Sequence, residues 1–414
     1  MVRGHLSDWQ KEYTISFNDR RMFLGRSRYF ICVLFLIGMR QFFVAQELVQ
    51  VEIFSSFKMH TVKLFFQNNY SVQYDEMASL CPVYKQQFYQ ITVVDDSLVL
   101  LDDGHGQTIR SKKISFYSPD IFKAQFSVVG LNGKKDRVYK GHLMIRAVQG
   151  YLKMINALDL DDYVCGVIEA EVGKGRHPEF YKAQALLVRT YALSHLYKHS
   201  SEGYNLCDQV HCQVYNGVCQ ESLIAGAVER THDLVIVDKD LNLIVAAFHS
   251  NSGGQTVNSE DIWGSKKEYL RSVKDTFSLG MPSFYWKKKL SVNEWMNYLK
   301  KYRYPVSDSE ALQCALNFKQ ETRHRYLQYK DIKIPLKSIR DDFKLMSTFF
   351  DIQLNASRDS VIFSGRGFGH GVGLSQEGAM RMAKLGFNYK QIISFYYQNV
   401  LLIDLKKLNF FREE

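Results

Sequence analysis

Apolar and polar residues alternate over short distances in the first third of the chain. Residues 62–66, 88–94 and 98–101 are rich in β-branched and aromatic side chains. Gly104-His-Gly106 and Asn132-Gly133 punctuate them as turns, so residues 47–160 read mainly as short strands. The period then changes. Residues 163–168 form an apolar run that reads as a strand, and Gly173, Lys174 and Gly175 read as a loop. His177-Pro178-Glu179 reads as a helix start, with proline in the first turn, where its missing N–H costs least. From Phe180 the spacing is helical, and Ala183, Leu186, Leu187, Tyr191 and Leu193 lie mostly on one side. A lone acid, Glu171, falls between the apolar run and this helix. Lys182 and Arg189 are seven apart and project at similar angles, two turns along it.

Further on, residues 225–236 read as helix, turn and strand. Residues 292–301 have helical spacing, with Trp295, Met296 and Leu299 on one side. Glycines alternate from Gly365 to Gly373, and helices over 377–385 and 389–397 follow. The mixture predicts an α+β fold with a strand-rich N-terminal region.

The N-terminus carries a targeting pattern. Arg20, Arg21, Arg26 and Arg28 precede an apolar run over 29–39, which is short of the roughly 20 residues that span a bilayer. This reads as an export signal with cleavage near Ala45, or as an uncleaved membrane anchor; a buried helix of the fold is the plain alternative. Met22 makes residues 1–21 an extension ahead of a second start. The expected organisation is a signal or anchor over 1–45, a strand-rich region over 46–137, and a mixed domain over 138–405 with an insert at about 285–345. Export would place the protein in the cell envelope, in the periplasm or on the outer face of the cytoplasmic membrane.

Composition adds three constraints. The 414 residues are 46% hydrophobic and 14% aromatic, ample for a sizeable core. The formal charge of +10 serves solubility or attraction to an anionic partner; no nucleic-acid-binding motif accompanies it, which argues against DNA or RNA. Seven cysteines are not a disulfide scaffold. Cys207, His211 and Cys212 offer three metal ligands within six residues, and His199 is a fourth candidate. Zinc takes four such ligands in a tetrahedron; a disulfide or ordinary buried thiols are the alternatives. No strand–glycine-loop–lysine arrangement follows Gly365–Gly373, so nucleotide binding is rejected.

Two motifs carry a family resemblance. Glu171 followed by Lys182-Ala-Gln-Ala-Leu-Leu-Val-Arg189-Thr-Tyr-Ala-Leu193 resembles the catalytic region of the sporulation protein SpoIID and its relatives, which include amidase enhancers of the LytB type. Ser364-Gly-Arg-Gly-Phe-Gly-His370-Gly-Val-Gly-Leu-Ser375-Gln376 resembles that family's GHGVGMSQ block. The likeness runs from about residue 138 to 402. Within it, His249-Ser250-Asn251-Ser252-Gly253-Gly254 resembles the family's HSSCGGHT loop, with Asn251 and Ser252 where serine and cysteine are common. The paired glycines permit positive φ and close approach to a ligand. Residues 345–350 resemble a family strand, and Trp263 is either a sugar-stacking platform or core. The resemblance implies a SpoIID-type mixed domain with helices flanking a substrate cleft, structural zinc in some members, and action on peptidoglycan. It implies a lytic transglycosylase that cuts glycan strands stripped of stem peptides and leaves 1,6-anhydro-muramic ends. The alternative is a non-catalytic enhancer that binds peptidoglycan and stimulates an N-acetylmuramoyl-L-alanine amidase.

Hydrolytic glycosidases usually use two carboxylates. Glu169 and Glu171, two apart, would share a face on a strand and form such a pair. A single acid suffices if the sugar's own 6-hydroxyl attacks the anomeric carbon, because tethering replaces a positioned water. Glu171 would then act as general acid and base, its pKa raised by an apolar wall near Val167 and Ile168. Lys182 and Arg189 would orient it or hold a lactyl carboxylate from a distance, since closer cations would lower that pKa. His249, Ser250, His370, Ser375 and Gln376 are the remaining candidates for substrate binding or support.

Overall fold

The computed structural model describes residues 48–75, 80–102, 108–130 and 136–408. The expected export segment and the turns at Gly104–Gly106 and Asn132-Gly133 lie outside them. The fold is α+β, as the pattern predicts. Twelve strands come first: β1 (Val49–Ile53), β2 (Thr61–Phe66), β3 (Tyr70–Tyr74), β4 (Cys81–Val83), β5 (Phe88–Val94), β6 (Ser97–Asp102), β7 (Thr108–Ser111), β8 (Lys113–Tyr117), β9 (Gln125–Val129), β10 (Arg137–Lys140), β11 (His142–Val148) and β12 (Tyr151–Leu158). A six-stranded sheet runs β10-β9-β2-β5-β6-β7. A seven-stranded sheet runs β13-β1-β12-β11-β8-β3-β4, its outermost strand β13 (Leu206–Cys207) arriving later in the chain. Inward-facing aromatics join the two: Phe66 lies 4.7 Å from Phe116 and 4.8 Å from Tyr70, ring centre to ring centre.

Glu171, Lys182 and Arg189 sit on the helices that follow, α1 (Leu160–Val172) and α2 (Pro178–Ser194). The apolar run at 163–168 is thus helix, not the strand expected. Asp159 caps α1 by accepting from the N–H groups of Asp161 and Asp162, and those two acids favour its positive end. Tyr163, Val164, Val167 and Ile168 fall on one helical stripe and are buried; a six-residue apolar run alone does not distinguish that stripe from a buried strand. Gly166 lets α1 lie against the next loop, because a Cβ there would stand 2.4 Å from the Gly217 carbonyl and 2.6 Å from the Tyr215 ring. Helix α2 starts as predicted, with His177 at the N-cap and Pro178 at the first position. It is buried on most sides, and α1, α3 (Ser222–Glu229), β14 (Leu234–Val237) and α9 (Tyr389–Tyr396) pack around it.

Between β15 (Phe248–His249) with α4 (Ser259–Trp263) and the C-terminal elements, the chain makes a long excursion. It comprises β16 (Tyr285–Ser291), α5 (Val292–Lys301), α6 (Ser309–Leu316), β17 (Tyr326–Tyr329), β18 (Ile332–Pro335), α7 (Leu336–Asp342), β19 (Phe350–Leu354) and β20 (Ser360–Arg366). These elements have a separate hydrophobic core around Trp295, Leu299, Ile334 and Phe363. That core takes in β19 and β20, beyond residue 345, so residues 285–366 are treated below as one module. The strand expected at 345–350 begins only at Phe350; Ser347 turns its hydroxyl to the Arg366 carbonyl instead. The chain closes with β21 (Leu374–Ser375), α8 (Gln376–Lys384), α9 and β22 (Leu401–Asp404), which pairs with β14. Among the described residues no helix is long and apolar enough to cross a membrane.

Candidate functional site

Glu171 lies in the last turn of α1, half-buried. Val167 and Ile168, four and three residues earlier, occupy the same side of the helix and are buried, which places the carboxyl against an apolar wall. One group holds it: the Val214 N–H donates to Oε1 at 3.0 Å. Burial raises its pKa above the usual carboxylate value, and the Val214 hydrogen bond only partly opposes this. The negative end of α1 acts in the same direction as burial. Among the described residues no lysine or arginine pairs with Glu171, so nothing cationic cancels the shift.

Glu169 is no partner to it. Two residues apart on a helix means about 200° of rotation, and the Glu169 carboxylate instead accepts from the N–H groups of Gln220 and Glu221 and from the Cys219 thiol. Those bonds lower its pKa against the opposing effect of partial burial. The pair of carboxylates on one face, expected from a strand, does not form.

The two cations of the motif serve the scaffold. Arg189 is 1% exposed. Its guanidinium reaches Asp161 Oδ1 from Nε at 3.1 Å and from Nη2 at 2.7 Å, and Nη1 donates to the carbonyls of Thr231 and Leu234. It is therefore neither on a solvated face nor within reach of a substrate: it ties α2 to the start of α1 and to β14. Lys182 pairs with Glu179 at 2.6 Å, and the other Glu179 oxygen accepts from the Tyr389 N–H at 2.8 Å, which docks the start of α9 on α2. Nothing in a single sequence signals that Asp161 is the partner of Arg189. The second oxygen of Asp161 meets His232 Nδ1 at 2.6 Å.

The histidine loop and the glycine block come together. β15 runs parallel to β21, pairing His249 with Ser375, and Asn251 bridges to Phe368. The glycines make this possible. Gly253 and Gly367 have φ of +70° and +82°, and a Cβ on Gly367 would stand 2.6 Å from the Asn251 carbonyl. His249, Ser375 and Gln376 are buried and support the backbone rather than face solvent. His249 Nδ1 meets the Val372 carbonyl at 3.1 Å, and Ser375 caps α8 through the Gly378 N–H. Ser250 and His370 are partly exposed. The Trp263 ring lies 5.3 Å from that of His370 and is 44% exposed, so it is not core. Ser252, at the position where cysteine is common, donates instead to buried Asp275 at 2.7 Å.

His199, Cys207, His211 and Cys212 converge, with their ligand atoms all within 4.8 Å of one another. Cys212 Sγ is 3.5 Å from His199 Nε2 and 3.8 Å from His211 Nδ1, and Cys207 Sγ is 3.8 Å from His211 Nδ1. Two ligands on one tetrahedral zinc would be about 3.6 Å apart for a sulfur–nitrogen pair. The donor set and spacing fit such an ion. Glu202 accepts at His199 Nδ1, 2.8 Å away, and so turns Nε2 inward. The hydrogen bond from Cys207 brings the Cys212 thiol down to about 6, and the same bond pushes Cys207 up. All described cysteines are free thiols in this structure.

A cavity of about 950 Å³ opens beside α1. The β1–β2 connection forms one wall with Phe54, Lys58 and His60; Gly166, Glu169 and Ala170 of α1 form another; Asn216–Val218 lie between. Glu171 is not among its lining residues: about 200° around α1 from Glu169, it turns instead to Val214, two residues before Asn216. The strand-rich region thus supplies a wall of this groove through Phe54, Lys58, His60 and Arg137.

The chain matches known proteins over most of its described length. The family model SpoIID, described as "Stage II sporulation protein", matches residues 148–237. An uncharacterised protein of Brachyspira hyodysenteriae is 30% identical over 336 residues, covering 79% of this chain and 88% of its own length. Stage II sporulation protein D of Bacillus subtilis is 30% identical over 260 residues, 59% of this chain and 74% of that protein. An amidase enhancer of Bacillus subtilis is 26% identical over 288 residues, 57% of this chain and 40% of the enhancer.

Proposed function

We propose, from the premise that this chain belongs to the SpoIID family, that it acts on the cell wall as a peptidoglycan lytic transglycosylase. The observation that carries the reading is the state of Glu171: a half-buried carboxyl, raised in pKa by burial, held by the Val214 N–H and paired with no lysine or arginine among the described residues. A general acid must start protonated, and this environment favours that form. In the proposed step Glu171 gives its proton to the glycosidic oxygen as the bond from muramic C1 breaks. The same sugar's 6-hydroxyl oxygen bonds to C1, and its proton passes to Glu171. A 1,6-anhydro ring results, no water is consumed and the acid is restored. One carboxyl suffices, which agrees with Glu169 being engaged elsewhere.

Other residues have supporting roles in this reading. The Val214 N–H fixes the rotamer of Glu171. Arg189 and Lys182 hold α1, α2 and α9 in register, and Trp263 with His370 offers a sugar-stacking surface. His199, Cys207, His211 and Cys212 would hold a zinc ion whose contribution is structural. It would pin the loop whose residue Val214, two past Cys212, meets Glu171. The site would work in the cell envelope after export, on strands from which an amidase has removed the stem peptides.

A second reading draws on the amidase-enhancer relative: a non-catalytic modifier that binds peptidoglycan and stimulates an amidase. The two separate in one experiment. Purified protein is incubated with peptide-free glycan strands, and products are read by mass spectrometry; an amidase is assayed with and without the protein. Anhydro-muramic ends that vanish in Glu171→Gln are expected. Product that persists in that variant overturns the assignment of Glu171, and amidase stimulation without any product establishes the modifier.

A further inference from the structure

Formal charge is unevenly placed along this chain. Residues 285–366 carry sixteen Lys and Arg against nine Asp and Glu, whereas residues 48–284 and 367–414 together carry thirty of each. The positive excess after residue 47 therefore belongs to the module with its own core. On the face of its three-stranded sheet, β16-β20-β19, turned from that core, Ser364 and Gln353 are exposed, while Asp351 and Arg366 bond to Gln320. Leu290, Val361 and Phe363 point into the core. On the edge strand β16, Tyr285, Lys287 and Lys289 alternate to the other face and are exposed, Tyr285 by 76%. Neither lysine forms an ion pair among the described residues. The strand is also continuous with the glycine block: Tyr285 pairs with Arg366, and the Gly367 N–H donates to the Phe284 carbonyl at 2.7 Å. Two residues past Arg366 stands Phe368, 45% exposed, and then His370 against Trp263.

We infer that this open face is a docking track for the peptide-free glycan strand, a polyanion that bears one lactyl carboxylate on each muramic residue. The inference rests on the proposed function. Lys287 and Lys289 meet carboxylates, and Tyr285 presents a ring to a sugar face. Residues two apart on a strand are about 6.8 Å apart on one face, and flexible lysine stems widen that reach. Lys287 and Lys289 extend a cationic surface that, beside α1, already includes Lys58, Arg137 and Lys174 around the cavity.

Binding is measured with the Glu171→Gln protein, which does not turn over, on fluorescent peptide-free strands. The same background carrying Lys287→Glu and Lys289→Glu should bind about tenfold more weakly at low salt and with a shallower salt dependence. Strands whose carboxylates are converted to methylamides should bind both proteins equally weakly. Lys287→Gln with Lys289→Gln should fall between, and it decides the matter if melting shows the reversed variant to be misfolded. Unchanged binding on charge reversal overturns the track. So does tighter binding to a polyphosphodiester wall polymer or to phosphatidylglycerol vesicles than to glycan. Wild-type protein that binds strands through these lysines but yields no anhydro product overturns the proposed reaction and leaves the track standing; product formation with unchanged binding does the reverse.

Discussion

At the residue scale, Glu171 combines two properties that pull against each other. Burial favours its neutral form, which suits a general acid and costs stability at neutral pH. The sign follows from linkage. With the folded pKa above the unfolded one, the folded state binds more protons between the two values, and stability falls as pH rises through that window. Glu171→Gln should therefore melt at a higher temperature than wild type at neutral pH. The gap should close as pH drops below the unfolded value of about 4.3. Equal melting temperatures across that range would place the carboxyl in water. In the same variant, product formation should fall by about 10² to 10⁴-fold, and in wild type kcat/KM should decline as pH rises through the raised pKa. Arg189 makes the opposite case. Its motif position suggests chemistry, yet it is enclosed with Asp161 and two carbonyls. Arg189→Leu should lower unfolding free energy by about 3 kcal/mol in urea titrations, because Asp161 loses its partner; a change under about 0.5 kcal/mol would return it to the surface. The sequence singled out both residues but not which one would be enclosed, since burial depends on partners tens of residues away.

At the scale of elements, α1 and the loop after β13 decide where the acid sits. Gly166→Ala should improve helix propensity, yet it should destabilise by about 1–3 kcal/mol because the methyl has no room against Gly217 and Tyr215. A neutral or stabilising result in thermal melts would mean that α1 and the loop do not touch. For the metal cluster, one zinc per chain is expected by elemental analysis, lost in Cys212→Ser. Loss of the ion should reduce product formation about tenfold or more by freeing Val214. Zinc-free protein with full activity would separate the loop from the site. The helix start at His177-Pro178 was readable because caps are local. The helical state of residues 160–172 was not, because its stripe is shared with a buried strand and only the Asp159 cap and the packing on α2 decide between them.

At the scale of the molecule, the chain combines a β-sandwich, a helical layer that carries Glu171 and a cationic module. The strands of the sandwich were legible from alternation, but not that β1 would pair with β13. That pairing brings the metal loop to the sandwich, and Asp208 seals it by accepting from the Phe54 and Ser55 N–H groups. Contacts of this range leave no periodic trace in sequence. The meeting of the histidine loop with the glycine block was likewise legible only as two motifs; the module between them hides that they are neighbours in space. What remains is whether the ring closes on itself. The most direct measurement is cleavage of peptide-free glycan strands in ¹⁸O-labelled water, followed by mass spectrometry of the new ends. The expected product is lighter than a hydrolysed end by one water and carries no label. Product labelled at the muramic C1 position would mean that water, not the sugar's own hydroxyl, is the nucleophile, and would contradict the account.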